Sequence, residues 1–373
     1  MSEHYEFLRD RVRPVNARPS GSDPDHSASN PGSPPQPAPR RTVRPPSLPV
    51  TPRVASTPVT VHTDRPRQPA AQRPAPNPIH PDAERAADLG RKTAGVPSVR
   101  PEVEKLIQAC RTPLPRPVKI GVLGKAGVGR TSIATAVGSI LADLRVADRV
   151  VAVDADAASG RLLSRIAPHA SAQIWALLAD RDLNTFDDVS ARLGRNTAGL
   201  FVLGGGPRPS SRKVIDAAAY REAVSRLAPF FSTIVVDCGP VLDSGLTYEV
   251  LRDLDALIVV SSTWADGTDA AARTLDWLAA HDMTALLNAS VVVINDSDGH
   301  ADRRTRARLI REFTNRGQRV AEVPFDPHLR SGEVIDMAHG PAPATRLSLL
   351  QVAATVVDCL RRESTAGHLA DDS

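Results

Sequence analysis

The residues best suited to do chemistry form one glycine-rich run from Gly124 to Ser132, which reads Gly-Lys-Ala-Gly-Val-Gly-Arg-Thr-Ser. It has the spacing of the phosphate-binding pattern G-x-x-x-x-G-K-[ST], with Arg130 at the lysine position. Small residues let backbone N–H groups curl around an anion, and a helix that begins there adds its positive dipole end. Thr131 can offer a hydroxyl to Mg²⁺, and Ser132 can reach an inner phosphate. Tight turn packing would also explain the glycines, but the run lies between a predicted strand and a predicted helix, so we predict an anion site.

Carboxylates end two further apolar runs. Asp154 and Asp156 close one valine-rich run, and Asp237 closes another. Because ligands bind at the carboxyl ends of parallel strands, these side chains are predicted to lie near the glycine-rich loop. The run that ends in Asp237-Cys238-Gly239-Pro240 resembles a Walker B strand followed by a switch-II turn. This resemblance implies that Asp237 would hold a Mg²⁺-bound water and that the Gly-Pro step would sense the outermost phosphate. The alternative role for Asp154 and Asp156 is to cap the turn that follows the strand. For Asp154, this capping role alone would explain the residue.

Alternating apolar and amphipathic stretches from Val118 onward must position these residues. The alternation predicts βαβ units and a largely parallel sheet, whose strands are covered on both faces. The predicted strands are Val118–Leu123, Arg149–Val153, Gly199–Leu203, Thr233–Val236, Ala256–Val260, Ser290–Ile294 and Arg319–Val323. The predicted helices are Thr131–Leu144, Ile215–Leu227, Gly267–His281, Asp302–Phe313 and Arg346–Arg361. The expected fold class is therefore a doubly wound α/β sheet.

Proline content divides the chain into a tail and a folded unit. Of 33 prolines, 24 precede residue 118, a density that sustains neither helices nor a sheet interior. Residues 1–117 also carry 18 Lys and Arg against 11 Asp and Glu, so the arm could meet an acidic partner, anionic lipid or nucleic acid, or only solvate the protein. We predict a disordered Pro/Arg-rich arm over residues 1–97, a short helix and linker over 98–117, a folded domain over 118–362 and a flexible tail over 363–373.

Several classes of protein are disfavoured by composition. Three widely spaced cysteines do not form a disulfide framework, and the 10 histidines show no spacing for zinc. The first residues lack the apolar core of a signal peptide, and no apolar run approaches the ~20 residues that span a bilayer. We expect a cytoplasmic protein whose membrane contact, if any, is peripheral at the inner face of the plasma membrane.

The motifs resemble those of a known family. The glycine-rich run is similar to K-G-G-V-G-K-T, the deviant Walker A signature of the MinD/ParA-like (SIMIBI class) P-loop ATPases, with Ala126 and Arg130 as departures. Val-Asp-Ala-Asp, Asp-Cys-Gly and Val-Pro-Phe-Asp-Pro-His-Leu follow in order, so the resemblance covers residues 118 to about 360. Together with the Pro-rich extension, these motifs look most like the actinobacterial branch associated with type VII (ESX) secretion, in which arginine at the lysine position is familiar.

This resemblance implies a role for each matching residue. Lys125 corresponds to the signature lysine that reaches the phosphates of a second subunit, and Asp156 to the aspartate that orients the attacking water; both are the implied catalytic residues. Asn295 would read the adenine ring from a strand end, and Pro324 and Asp326 would lie near the base, with strand capping and turn formation as alternatives. The implied nucleotide-binding set is Gly124, Lys125, Ala126, Gly127, Val128, Gly129, Arg130, Thr131, Ser132, Asn295, Pro324 and Asp326. Thr131 would bind Mg²⁺ directly, and Asp237 and Asp156 through water.

The resemblance implies an ATPase that works as a switch. ATP and Mg²⁺ would bridge a homodimer, the dimer would present a surface to a partner protein, with the Pro-rich arm as a further contact, and hydrolysis would reset it. The implied setting is a membrane-associated, type VII-like secretion system. Because Ala126 and Arg130 depart from the pattern, a nucleotide-sensing scaffold with little hydrolysis is the main alternative. A ParA-like DNA partition or positioning factor is a third, less favoured interpretation, and a biosynthetic P-loop enzyme lacks a recognisable substrate pocket.

Three other features receive structural interpretations. Trp264 and Trp277 are expected to be core or dimer-surface anchors. The apolar helix Arg346–Arg361 is expected to pack on the domain and not to insert into lipid. One predicted helix carries five arginines that do not share one stripe, and we expect them to form a solvated face: Arg303, Arg304, Arg306, Arg308 and Arg311.

Overall fold

The computed structural model describes residues 101–114, 117–145, 147–157, 160–206 and 214–371, with side chains through residue 363. The arm predicted over residues 1–97 lies outside these ranges. The domain boundaries drawn from the sequence stay predictions.

One eight-stranded sheet forms the centre of the described chain. Its strands are β1 (Val118–Gly124), β2 (Val150–Ala155), β3 (Gly194–Arg195), β4 (Phe201–Leu203), β5 (Thr233–Cys238), β6 (Ala256–Ser262), β7 (Ser290–Asn295) and β8 (Arg319–Val323). They lie in the order β3-β4-β2-β5-β1-β6-β7-β8, and only the β3–β4 pair is antiparallel. The expected doubly wound, mostly parallel sheet is confirmed.

Twelve helices accompany the sheet in the described ranges. They are α1 (Pro101–Arg111), α2 (Arg130–Leu144), α3 (Leu162–Ile166), α4 (Ile174–Ala179), α5 (Phe186–Ser190), α6 (Ala217–Leu227), α7 (Gly245–Arg252), α8 (Ala265–Ala280), α9 (Thr284–Asn288), α10 (Arg303–Asn315), α11 (Pro327–Arg330) and α12 (Pro343–Asp371). In the described ranges, none of them is both long enough and apolar enough to cross a membrane.

All seven strands expected from the sequence are present, each with ends within two residues of the prediction. The missed elements are β3 and the six helices α3, α4, α5, α7, α9 and α11, none longer than eight residues. Segments this short do not complete enough turns to show helical periodicity. The helix expected over Arg346–Arg361 begins three residues earlier and continues to Asp371.

Apolar side chains pack on both faces of the sheet. Along β2, Val151 and Val153 face one cluster of buried residues, whereas Val150 and Ala152 face the other. This alternation follows from the two-residue period of a strand, and it explains why the central strands are apolar at most positions on both faces. Helix α12 contributes buried residues to the second cluster, including Leu349, Val352 and Val356, so it packs on the domain as expected.

The three cysteines, Cys110, Cys238 and Cys359, are buried free thiols. Burial raises the pKa of Cys110 and of Cys238 to about 12 and also raises the pKa of Cys359. Because the thiolate is the reactive form, we expect a maleimide to label the native protein at least about a hundredfold more slowly than the same chain in denaturant. Mass spectrometry over time measures this, and fast labelling of a native cysteine would show that it is accessible.

Candidate functional site

The glycine-rich run (Gly124–Ser132, called the P-loop below) forms the turn between β1 and α2. Gly127 and Gly129 have φ angles of 89° and 96°, which glycine adopts without steric cost. Ala126 is outside the positive-φ region, so its Cβ adds no backbone strain. Helix α2 begins at Arg130, which directs its N-terminus at the loop.

An amide side chain holds the P-loop in place. Asn295, the last residue of β7, is buried, and its Nδ2 donates to the carbonyl of Val128 at 2.8 Å. A Cβ added to Gly129 would lie 2.4 Å from this Nδ2. The contact is therefore possible only because residue 129 has no side chain.

This contact makes Gly129→Ala a sharp test of the loop. We expect the unfolding free energy of Gly129→Ala to fall by about 1–3 kcal/mol beyond the penalty of placing alanine at a positive φ angle, because the methyl group displaces Asn295. We also expect the variant to lose phosphate binding. The matched control is Gly317→Ala, where φ is 80° but an added Cβ meets nothing within 4 Å. Chemical denaturation measures both. Equal losses in the two variants would mean that the Asn295 contact does not constrain the loop.

The guanidinium of Arg130 is buried and connects three elements. Its Nη2 lies 3.1 Å from Asp156 Oδ2, after β2, and its Nη1 donates to the carbonyl of Cys238 in β5. The two charged side chains are 7% and 6% exposed. Removing one partner of such a pair leaves a buried, uncompensated charge at a cost of about 3–5 kcal/mol. Each of these two side chains therefore needs the other as its counter-charge, unless another charged group takes the place of the partner.

Asp237 lies beside this pair in β5. Thr131 Oγ1 donates to Asp237 Oδ2 at 2.6 Å, whereas the buried Oδ1 of Asp237 has no hydrogen-bond partner. Burial raises the pKa of Asp237 to about 6; Arg130 and the Thr131 hydroxyl oppose that rise, and Asp156 adds to it. A buried carboxylate oxygen without a partner is costly, and a cation or a water held by a cation would satisfy it.

Asp154 performs the capping role considered for it. Its Oδ1 accepts from the N–H of Asp156 and its Oδ2 from the N–H of Leu162, both at 3.0 Å. Burial, with the neighbouring Asp237 as the next cause, raises its pKa to about 7. Asp154 therefore shapes the turn that carries Asp156.

The donor set fits magnesium in the presence of phosphate. A hydroxyl (Thr131) and a carboxylate with an unpartnered oxygen (Asp237) are the hard oxygen donors that Mg²⁺ accepts. Within the described ranges, no cluster of three or more His, Cys, Asp or Glu side chains could hold a metal ion. An ion here would therefore complete its coordination with water and with oxygens of a bound phosphate.

A cleft of about 340 Å³ opens beside the P-loop. Its walls include six residues of the run between Ala126 and Ser132, together with Asn295, Pro324 and Asp326, so β1, β7 and β8 bring nine of the twelve predicted nucleotide-binding residues together. Gly124 and Val128 of the P-loop do not line the cleft, and neither do Asp156 and Asp237. The cleft has the size expected of a small-ligand site.

Lys125 also lies outside the cleft. Its ammonium forms an ion pair with Asp266 in the first turn of α8, and its side chain is 44% exposed. Within this subunit the predicted catalytic lysine therefore does not face the cleft. That position is compatible with a contact to a second subunit, which stays a prediction.

The loop predicted to lie near the base is held by its own backbone. Asp326 is buried; its Oδ1 accepts from the N–H of His328 at 2.9 Å and its Oδ2 from the N–H of Ala342 at 2.8 Å. Its carboxylate therefore caps α11, the turn-forming alternative. Asp326 and Pro324 line the cleft, and their contact with a base stays a prediction.

Two arginines of the cleft wall were not anticipated. Arg161 and Arg165 lie one helical turn apart, at the start and within α3, a helix too short to predict. The only sequence signal for these two arginines is their four-residue spacing, which places both on one side of a helix. Many surface arginines have the same spacing.

The structure also bears on two other features of the sequence. Arg304, Arg308 and Arg311 are exposed on the same face of α10, since they are four and three residues apart, whereas Arg303 and Arg306 lie on other faces, so the five arginines do not share one stripe. Trp264 is 52% exposed, with its Nε1 donating to Asp298 at 2.9 Å, which leaves the dimer-surface alternative for this residue as a prediction. Trp277 is half-buried, and its ring stacks on His281 at 3.9 Å.

Comparison with known proteins agrees with this geometry. The ESX-1 secretion-associated protein EspI of Mycobacterium tuberculosis is 31% identical over 247 residues, which span 65% of this chain but only 37% of that relative. A ParA family ATPase from Chlorobium tepidum superposes with a TM-score of 0.52 and 19% identity, over 63% of this chain and 98% of that one. The cell division ATPase MinD of Pyrococcus furiosus gives a TM-score of 0.49 and 15% identity, over 66% and 98%.

No protein-family model matches the chain. The ParA family ATPase structure shows the fold of this chain, and the relative shows sequence similarity over the larger part of it. The described domain therefore has the fold of the ParA family ATPases, and its sequence is related to that of an ESX-1 secretion-associated protein.

Proposed function

We propose that this chain binds ATP with Mg²⁺ and works as a dimeric switch. The observation that carries the proposal is that the buried carboxylates of Asp156 and Asp237 contact Arg130 and Thr131 of the P-loop. A cation, a hydroxyl and two carboxylates converge there from three elements. Such a group positions and neutralises charge, which is most of what phosphoryl transfer requires of a protein.

Each residue has a defined task in this proposal. The P-loop N–H groups and the N-terminus of α2 bind the phosphates, and Thr131 and Asp237 would hold Mg²⁺, Thr131 directly and Asp237 through water. When bound, Mg²⁺ would supply positive charge that neutralises part of the phosphate charge. An arriving phosphate competes with Asp156 for Arg130, which frees the Asp156 carboxylate to orient a water. Lys125 contacts the nucleotide of the second subunit, so that ATP joins the two copies.

The setting follows from the relative. EspI is a secretion-associated protein, and the alignment spans 37% of it. From this similarity we propose that the switch acts on a secretion system of the ESX type at the membrane. The partner would be a protein of that machinery, contacted by the nucleotide-dependent dimer surface or by the Pro-rich arm. A cytoplasmic location follows from this role and stays part of the proposal.

A second function is supported by the same ion pair. With Arg130 and Asp156 bound to each other, neither the phosphate cation nor the water-orienting carboxylate is free. If ATP does not separate them, the protein would bind nucleotide and signal without hydrolysis, as a sensing scaffold.

Calorimetry and phosphate release on the full chain distinguish these functions. We expect ATP to bind with Mg²⁺ and inorganic phosphate to be released slowly. Binding without release would select the scaffold. Absence of any adenine nucleotide binding by folded protein would rule out both.

A further inference from the structure

Arg165 is a buried cation that has no anionic partner in the part of the chain that the structure describes. Its side chain is 4% exposed, and its guanidinium donates only to neutral oxygens: the Ser132 hydroxyl at 3.0 Å, the Leu329 carbonyl at 2.7 Å and the Glu333 carbonyl at 2.5 Å. Among the described residues, no carboxylate lies within ion-pair distance of it. Burial lowers the pKa of Arg165, Arg161 lowers it further, and the Glu333 carboxylate only partly opposes this. Burying an unpaired charge is costly, so the position favours an anion as counter-charge.

Of the other cations around the cleft, Arg161 is exposed to solvent, and the remaining ones are engaged in ion pairs. Arg130 is paired with Asp156, and Arg330 lies 3.4 Å from Asp298. Lys125 is paired with Asp266 outside the cleft. Arg165 is therefore the buried cation of the wall that a ligand's negative charge could neutralise without first breaking an ion pair.

The position of Arg165 also indicates which part of an anion it would meet. It contacts Ser132, the second hydroxyl of the P-loop, whereas Thr131 contacts Asp237 on the side of the proposed metal. Ser132 donates its own proton to the Leu329 carbonyl at 3.3 Å, a long contact that a phosphate oxygen could replace.

We propose that Arg165 is a phosphate-binding residue of this site, and that together with Ser132 it contacts the inner phosphate common to ATP and ADP. The proposal rests on nucleotide binding as proposed above and adds a residue that the P-loop pattern does not contain. Arg165 supplies the cationic contact that Arg130 provides only after releasing Asp156. Affinity for ADP and for ATP should therefore depend on Arg165 to the same degree, since both carry the inner phosphate.

The test compares full-length wild type, Arg165→Met and Arg165→Lys, with Arg362→Met as the control. Arg362 is an exposed arginine of α12 that pairs with Asp358 and does not line the cleft, so its loss changes the net charge equally. Calorimetry with Mg²⁺ gives the affinities for ADP and ATP, and displacement of a fluorescent ADP analogue gives that for inorganic pyrophosphate. We expect Arg165→Met to weaken all three by a similar factor of about 10–100, Arg165→Lys to recover part of the loss, and the control to match wild type.

Three outcomes would overturn the assignment. Unchanged ADP affinity in Arg165→Met would show that the guanidinium does not meet the phosphates. Equal losses in the Met and Lys variants would show that charge is irrelevant, and a loss for ADP but not for pyrophosphate would show that Arg165 only holds the loop near the base. Circular dichroism checks folding; if Arg165→Met does not fold, Arg165→Lys must still bind ADP about three- to tenfold more weakly than wild type, because a point charge replaces a forked donor. Failure of wild type itself to bind nucleotide would instead refute the proposed function.

Discussion

Replacing Asp156 with Ala is expected to reduce ATP turnover by about a hundredfold or more while ATP remains bound. The water that attacks the outermost phosphate would lose the carboxylate that orients it, and positioned acid–base groups typically contribute about 10²–10⁴ in rate. Binding survives because the P-loop backbone is unchanged. Without hydrolysis the nucleotide-bound dimer should accumulate, which size-exclusion chromatography coupled to light scattering would detect.

The same substitution has a second consequence that the sequence alone does not suggest. Removing Asp156 leaves Arg130 buried without its ion-pair partner, so the nucleotide-free variant should lose about 3–5 kcal/mol of unfolding free energy. Bound ATP supplies a replacement anion, so ATP should raise the melting temperature of the variant by more than that of wild type.

Two controls make this prediction specific. Asp180→Ala removes the partner of Arg192 in a partly exposed pair, and this change should cost far less stability than the loss of Asp156. Asp156→Asn keeps the volume of the side chain and should lose turnover as Asp156→Ala does. Near-normal phosphate release by both Asp156 variants would exclude this residue from the catalytic step.

Replacing Lys125 with Ala is expected to prevent ATP-dependent dimerisation, the opposite of the Asp156 variant. Lys125 does not line the cleft, so ATP affinity of the single subunit should change by less than about threefold, because the P-loop amides keep their geometry. Loss of the charge that reaches the second nucleotide should lower turnover by about 10²–10³-fold, the range for removal of one transition-state donor. Light scattering with ATP and a phosphate-release assay measure the two effects.

The matched control for Lys125 is Asp266→Asn. This change removes the ion-pair partner of Lys125 but keeps the lysine, and surface pairs contribute little to stability. We expect Asp266→Asn to dimerise with ATP. If it stays monomeric as Lys125→Ala does, the ion pair with α8 is what matters, and the lysine has no separate role at the partner's nucleotide.

Local sequence patterns predicted the sheet well, because the apolar runs that define its strands extend over only a few neighbouring residues. The central strands are mainly apolar runs with a polar residue near the carboxyl end, as with Asp237 in β5 and Asn295 in β7. In a parallel sheet those strand ends meet at one edge, so the approximate location of the site followed from the strand pattern. The short elements were missed because they are ordered by packing and capping, as in α5, where Thr185 and Asp188 form a capping box.

The amino-acid sequence by itself determined that this chain folds as a parallel α/β sheet and that a P-loop follows its first strand. Spacing and hydrophobic periodicity are local properties, and they need no knowledge of which residues meet in space. Tertiary structure alone decided how the charges combine: Arg130 pairs with Asp156, Lys125 pairs with Asp266, and Arg165 is buried with no carboxylate of the described residues beside it. These partners are 26 or more residues apart in the chain, and burial sets whether each charge needs a counter-charge.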